Sequence, residues 1–462
     1  MVERRSVAAR LRHVIAAVGL VLLCSLVASA QFDTGTIAGS VTDPSGAMVA
    51  KASVTITNVG TGIKKTLQTD SGGNFVASAV PFGTYVVSAS SSGFAEVKSQ
   101  EIVLNVGATV HVNLALTVAA STQAVEVTGT ATTVATESTT AGTTLNATQI
   151  SNLPVNGRDV SNFLEIAPGS VGSTGFFQGS VNGLDNIFTG LNITVDGQNA
   201  TRGDINGFLN TEGQEGARVT RSSIDSIEEI NFSNNGYSAE YGHSLGPQMN
   251  IITKSGTNGF HGTLFEFLRN DALDARDYFD STGPRAPLRL NQFGGNLSGP
   301  IIKNKLFFFV NYEGDRTTIT SINPVYHVLS ASARAGFVDP NMQDMLSQLA
   351  PLPAGCDVIP TPVSCQYLGN PDFVVINAKL PTTVREDTGS IRLDYNLSDR
   401  DRFMFRYNIN DSLTNYTFGL NQGQLSPQKL RTQLGKFDYT HTFTPKLLNE
   451  FSIGVDRFYS DT

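Results

Sequence analysis

The chain has 462 residues, room for about three domains, and carries 32 Lys+Arg against 40 Asp+Glu for a formal net charge of −8. That balance speaks against nucleic acid as a partner. Downstream of the N-terminal stretch no apolar run reaches the roughly 18 residues a spanning helix needs, so any membrane crossing must be made by strands. Residues 1–30 read as a cleaved export signal. Arg4, Arg5, Arg10 and Arg12 form the positive end, Val14 to Val27 the apolar run, and Ala28-Ser29-Ala30 a small-residue cleavage site. Cys24 follows Leu23 rather than a small residue, which disfavours a lipoprotein, and cleavage leaves the mature chain more acidic still.

Residues 31–118 predict a small all-β module. Val/Ile/Thr-rich runs at Thr36–Val41, Ala52–Thr57, Tyr85–Ser90, Ile102–Val106 and Thr109–Leu116 are separated by Asp43-Pro44-Ser45-Gly46, Asp70-Ser71-Gly72-Gly73 and Pro81-Phe82-Gly83. Proline presets φ in such turns, glycine accepts positive φ, and Asp or Ser side chains bond the turn backbone. With Thr69 and Asn74-Phe75 around the second turn, and Val80 and Thr84-Tyr85 around the third, these runs resemble the carboxypeptidase-regulatory-like domain. The resemblance implies a transthyretin-like β-sandwich of seven strands that is an accessory module without chemistry of its own.

Residues 119–144 shift to Ala, Thr, Ser and Val and read as a linker. Inside it lies Val125-Glu126-Val127-Thr128. From 145 to 255 a short helix is expected near Ala147–Asn152, followed by Leu153-Pro154-Val155-Asn156-Gly157-Arg158-Asp159, Asn192-Ile193-Thr194-Val195-Asp196-Gly197, Ile224-Asp225-Ser226-Ile227-Glu228-Glu229-Ile230, Tyr237-Ser238-Ala239-Glu240-Tyr241-Gly242 and Asn250-Ile251-Ile252-Thr253-Lys254. In this order they resemble the plug domain of TonB-dependent outer-membrane transporters, and the preceding sandwich places the resemblance with their Oar-like branch. Asn234-Asn235-Gly236 stands where that family usually has Arg-Gly-Pro, and no arginine follows Asn182-Gly183.

From 256 to 462 the pattern becomes strand alternation. Strands are expected near 260–269, 290–298, 306–313, 389–397, 403–410, 431–443 and 450–459. In the clearest hairpin Ile391, Leu393, Tyr395 and Leu397 share one face against Arg392, Asp394 and Asn396. Phe403, Phe405, Tyr407 and Ile409 likewise oppose Met404, Arg406, Asn408 and Asn410. A soluble sandwich strand alternates in the same way. The connections discriminate, because tight turns (299–305, 398–402, 444–449) alternate with long excursions (270–289, 314–388, 411–430), which is the habit of outer-membrane barrels.

The fold class expected is therefore all-β: a transthyretin-like β-sandwich, a mixed α/β plug domain, and the first strands of a large antiparallel transmembrane β-barrel. Seven strands leave open edges, and the chain ends Tyr459-Ser460-Asp461-Thr462 without a terminal aromatic residue. It reads as the N-terminal portion of a longer protein.

The resemblance implies an outer-membrane receptor that takes up a ligand (a siderophore, glycan or peptide) using TonB and its inner-membrane energising complex, with the sandwich in the periplasm. Val125, Glu126, Val127 and Thr128 are then the candidate TonB-box segment, an extended peptide captured by addition to a sheet edge. A barrel of about 22 strands has a lumen too wide for side chains to fill, so it needs a stopper. Arg392, Asp394, Asn396, Arg406 and Asn408 are expected to meet plug charges among Arg158, Asp159, Arg202, Asp204, Arg218, Arg221, Glu228 and Glu229 through hydrated ion pairs worth about 0–1 kcal/mol each. Tyr312, Tyr395, Tyr407 and Tyr439 are candidates for an interfacial girdle against outer-membrane lipid.

Cys356 and Cys365 fall in the longest loop, where a close pair in an exported protein suggests a disulfide. The six histidines are scattered, with no metal-ligand spacing and no nucleophile or nucleotide motif, so neither cofactor nor enzyme activity is expected. A surface adhesion or structural outer-membrane protein without active transport is the alternative, and an exported enzyme with an accessory sandwich a third.

Overall fold

The computed structural model describes residues 34–118, 131–132, 141–155, 158, 160, 163, 166, 168–171, 180–181, 184–185, 192–200, 222–237, 247–275, 287–321, 325–347, 365–367, 373–377, 380–417, 425–444 and 447–461. The export signal, the Val125–Thr128 segment and Cys356 lie outside them. No helix among the described residues is long and apolar enough to cross a membrane.

The N-terminal body is two facing five-stranded sheets. One is centred on β1 (Thr34–Thr42), which pairs antiparallel with β4 (Asn74–Pro81) and parallel with β6 (Thr109–Val112) and Leu114–Ala115. The other is built on β2 (Ser53–Asn58), flanked by β3 (Lys64–Gln68) and β5 (Gly83–Ser90). Every second residue turns inward. Ile37, Val41, Val54, Ile56, Phe75, Ala77, Val87 and Ala89 form one dry core with Leu104, Val110, Val112 and Leu114. The turns follow their sequence signals: Asp43 Oδ1 accepts the amides of Ser45 and Ala47, and Asp70 Oδ1 those of Gly72 and Asn74. Residues β7 (Ala131–Thr132) return from the linker to pair with β6.

A second, inner sheet follows. Its order is β8 (Ala141–Asn146), β11 (Ile227–Asn235), β12 (Gln248–Thr253), β9 (Asn192–Val195) and β10 (Gln198–Asn199). The first of these begins inside the segment that composition marks as linker. Asn146 then caps α1 (Ala147–Asn152) through a reciprocal box with Gln149, as the sequence pattern anticipates. All of β9 and β12 is buried, the pattern of a strand covered on both faces. Phe163, Ile193, Val195, Ile227, Ile230, Phe232 and Ile251 form its core, joined by Leu434 from the next sheet.

The C-terminal body is a seven-stranded antiparallel meander in strict chain order. It runs β13 (His261–Asn270), β14 (Leu288–Ile302), β15 (Leu306–Ser321), β16 (Leu380–Asn396), β17 (Asp401–Thr417), β18 (Leu425–Thr444) and β19 (Leu447–Asp461). These are the seven strands expected, in order, with long and short connections alternating as read. Several are much longer than expected, because main-chain pairing continues past the end of the apolar alternation: Thr317↔Val384 and Asn415↔Pro427 are still in register. The long connection after β15 holds two helices, Ala331–Ala335 and Pro340–Ser347, and a small sheet that includes Cys365–Tyr367.

The register sorts the meander into two faces. One carries Phe308, Leu393, Phe405, Phe437 and Ile453 in one cross-strand row and Val310, Ile391, Tyr407 and Val455 in the next. Many of these are exposed, among them Phe405, Phe437, Ile453 and Val455. Tyr395, Phe403 and Tyr439 stack across three strands at the short-turn end of that face, with ring centroids 6.2 and 4.7 Å apart. The opposite face is buried and carries the charged residues, with Phe307, Phe309, Met404 and Leu434 among them. A sheet that exposes its apolar side and buries its charged side is the inverse of a soluble domain and is what a lipid-facing wall requires.

Candidate functional site

The buried polar face has one focus. Arg392 on β16, Arg406 on β17 and Lys436 on β18 are direct cross-strand partners, so three cations stand in a row on neighbouring strands. Like charges placed directly opposite destabilise a sheet. Here a single turn of the inner sheet offsets them. Val195-Asp196-Gly197-Gln198 links β9 to β10 with φ of 45° at Asp196 and 76° at Gly197, the two positive values that an Asp-Gly hairpin turn accommodates. The turn thrusts the Asp196 carboxylate at the cationic row.

Asp196 is fully buried, and Arg392 and Arg406 are each 1% exposed. Asp196 Oδ1 accepts the Thr253 amide at 2.8 Å and Arg392 Nη1 at 3.3 Å, while Oδ2 accepts the Thr253 hydroxyl at 2.7 Å. Arg406 Nε lies 3.0 Å from Oδ2 but off the N–H direction, so that contact is an ion pair rather than an aligned hydrogen bond. Arg406 Nη2 donates to the Val195 carbonyl at 3.2 Å and to Gln198 Oε1 at 2.9 Å, and Lys436 Nζ donates to the Asp196 carbonyl at 2.6 Å.

Two further carboxylates stand one row closer to the short turns. Asp394 takes a bidentate pair of bonds from Arg392 at 2.9 and 3.1 Å, and Asp438 lies 2.7 Å from Lys436 Nζ. Arg402 also reaches Asp394 at 3.2 Å, so four wall cations face the carboxylates of Asp196, Asp394 and Asp438, and of these three only Asp196 comes from the inner sheet. Gln198 packs onto β19, where a Cβ at Gly454 would come 2.8 Å from its amide nitrogen, so this glycine leaves the space the hairpin tip fills.

Of the wall residues singled out from sequence, Arg392, Asp394, Arg406 and Asn408 are gathered at this focus, and Asn396 lines a cavity below it. Of the plug-side charges, Glu228 lines that cavity together with Arg392 and Asp394, as expected, while the placement of the others needs correction. Arg158 pairs with Asp225 of its own segment and lies over the rings of Phe265 and Phe267 on β13. Glu229 turns toward the N-terminal sandwich, accepting from Asn231, and burial pushes its carboxyl up to about 7. Asp159, Arg202, Asp204, Arg218 and Arg221 lie outside the described residues.

The expectation of hydrated, weak pairs also fails at this focus, because the network is dry. Breaking one side of a buried pair costs about 3–5 kcal/mol rather than the 0–1 of a surface pair. Three members of the network not singled out from sequence carry a local signal there, since Asp196-Gly197 is a turn pair and Lys436 and Asp438 fall on the charged face of an alternating strand, whereas Thr253 carries none. Among the described residues no group of three His, Cys, Asp or Glu could hold a metal.

Two regions of the chain match known protein families. Residues 252–462 match the outer membrane beta barrel domain, and residues 36–117 match the carboxypeptidase regulatory-like domain. The chain is a homologue of the TonB-dependent transporter Oar of Myxococcus xanthus, 27% identical over 65% of this chain and 29% of that protein. It therefore spans less than a third of the relative's length.

Among solved structures, a ferric enterobactin receptor from Pseudomonas aeruginosa aligns at 13% identity over 70% of this chain and 42% of its own, with a TM-score of 0.44. The outer membrane transporter YddB from Escherichia coli aligns at 12% identity over 68% and 38%, also at 0.44.

Proposed function

We propose that this chain is the N-terminal part of an outer-membrane TonB-dependent transporter, in which the sheet of residues 141–253 is the plug and the β13–β19 meander is one side of the barrel. The observation that carries the reading is the Asp196 network. An inner body presents the Asp196 carboxylate to Arg392 and Arg406 and the Asp196 carbonyl to Lys436, so the wall carries uncompensated charge unless the inner body is seated. A stopper that must stay in place at rest and leave under mechanical load is served by such a contact: dry and directional, yet confined to one hairpin.

In this reading the short turns face the periplasm, the sandwich lies there, and the long connections face outward. The ligand is a siderophore, glycan or peptide taken up through the lumen, and the inner-membrane energy reaches the plug through TonB. Val125, Glu126, Val127 and Thr128 are the segment TonB captures, upstream of β8 and so in a position to pull on the inner sheet. Capture by strand addition needs main-chain N–H groups, and proline removes one. Val127→Pro should therefore abolish site-specific crosslinking between this segment and TonB while leaving the barrel folded and in the outer membrane. Undiminished crosslinking of the proline variant would place the TonB contact elsewhere. Cys356 and Cys365 are proposed to close a disulfide within the long outer connection.

A further inference from the structure

Among the described residues, the N-terminal sandwich meets the rest of the molecule through its β2–β3 hairpin, the Val106 carbonyl and the β4–β5 turn. Its β2–β3 hairpin is bonded to the segment between the inner sheet and β13: the Asn258 amide donates to the Gly60 carbonyl at 2.9 Å, and Asn258 Nδ2 donates to the Thr61 carbonyl at 2.5 Å. Asn258 Oδ1 in turn accepts the amide of Asn304, in the short turn between β14 and β15, at 2.9 Å. The approach is close enough that a Cβ on Gly62 (φ +69°) would lie 2.6 Å from Asn304 Oδ1.

Second, Asn231 of β11 donates to the Val106 carbonyl at 3.4 Å. Third, the Pro81-Phe82-Gly83 turn between β4 and β5 sets the Phe82 ring 5.6 Å from the Arg392 guanidinium carbon. Between these contacts lies a cavity of about 450 Å³, lined by Phe82, Tyr85, Glu228, Phe307, Arg392 and Asp394 among others.

We propose that the sandwich is a latch on the inner sheet: seated, it closes the network from the short-turn side and holds the Asp196 contact shut, so that release of the inner sheet requires the sandwich to undock. The argument is electrostatic. Ion pairs strengthen as water is excluded. Phe82 covers the guanidinium that bonds Asp196, Thr253 and Asp394 together, and its own attraction to that cation adds to the seat. Because coupling between two sites is reciprocal, a sandwich that favours the closed network is itself favoured by it. The proposal rests on reading the inner sheet as the plug only for its biological meaning, since the coupling itself is a property of these contacts.

The test uses the full-length protein in lipid nanodiscs, with Cys356 and Cys365 replaced by serine. A Cβ at Gly60 would lie 3.7 Å from Thr257 Cβ, which suits a disulfide, so Gly60→Cys/Thr257→Cys should lock the sandwich in its seat on oxidation. Amide hydrogen exchange is read over residues 192–200, which carry the Asp196 hairpin, with residues 409–415, further along β17 and paired on both sides, as the control.

Phe82→Ala should speed exchange over 192–200 about tenfold. The oxidised lock should slow it below wild type and reductant should restore it, with no change over 409–415. Equal exchange over 192–200 in wild type, Phe82→Ala and the oxidised lock would overturn the latch. So would failure of the disulfide to form, since the seat itself would then be wrong. Loss of the TonB contact at Val125–Thr128 would instead fell the transporter reading and leave this coupling standing.

Discussion

Asparagine in place of Asp196 should loosen the inner sheet by about 3–5 kcal/mol while leaving the meander folded. Asparagine tolerates the left-handed backbone at this position and can still accept from the Thr253 amide, so the turn keeps its shape and only the charge is lost. What remains is Arg392, Arg406 and Lys436 in one buried cross-strand row, with Asp438 and an Asp394 shared with Arg402 to balance them.

The measurement is the urea midpoint for loss of exchange protection over 192–200 and 248–253, set against the heat-modifiable gel mobility that reports an intact barrel. A pronounced drop in the first with no change in the second is expected. Combining Asp196→Asn with Arg406→Gln should recover part of the loss, because the two groups interact directly and their effects cannot add. An unchanged midpoint in the single variant would show that the inner sheet is held by its apolar seat around Leu434 and not by charge.

The second large effect concerns the other side of the same strand. Ile391 lies in the apolar cross-strand row with Val310, Tyr407 and Val455, one residue from Arg392. Arginine there would face hydrocarbon, at a cost of about 2–4 kcal/mol near the middle of a bilayer. The same substitution on the open face of a soluble sheet would be nearly neutral, within about 0.5 kcal/mol. Refolding of the full-length protein into lipid vesicles, titrated with urea, distinguishes the two, and a neutral Ile391→Arg would remove lipid from that face.

These two substitutions mark what a linear sequence can carry. The period-2 alternation around Arg392 and Arg406 was legible because it is local: each strand states its own two faces. The turns of the sandwich and the cap of α1 were legible for the same reason, since Asp43, Asp70 and Asn146 bond within a few residues of themselves.

The partner of the wall cations was not, because Asp196 meets Arg392 across 196 residues and Lys436 across 240. In a segment full of charges nothing local selects one carboxylate, and the Asp-Gly pair announces only a turn. Strand length was under-read where pairing outlasts the apolar band, as in β16, whose N-terminal half carries Thr382, Thr383, Arg385, Glu386 and Asp387. The docking of the sandwich through Gly60, Thr61 and Phe82 left no trace in the sequence, since backbone carbonyls and one exposed-looking phenylalanine make it.

The central claim is that one face of the meander meets lipid while the other encloses a charged, seated inner body. Photolabelling of the full-length protein in membranes with a lipid-borne carbene precursor tests it most directly, because both faces offer apolar targets. Labels are expected on Leu393, Phe405, Phe437 and Ile453, and none on Met404 or Leu434, which are apolar but turned inward. Equal labelling of Met404 and Leu434, or a protein recovered unlabelled in the soluble fraction, would contradict it.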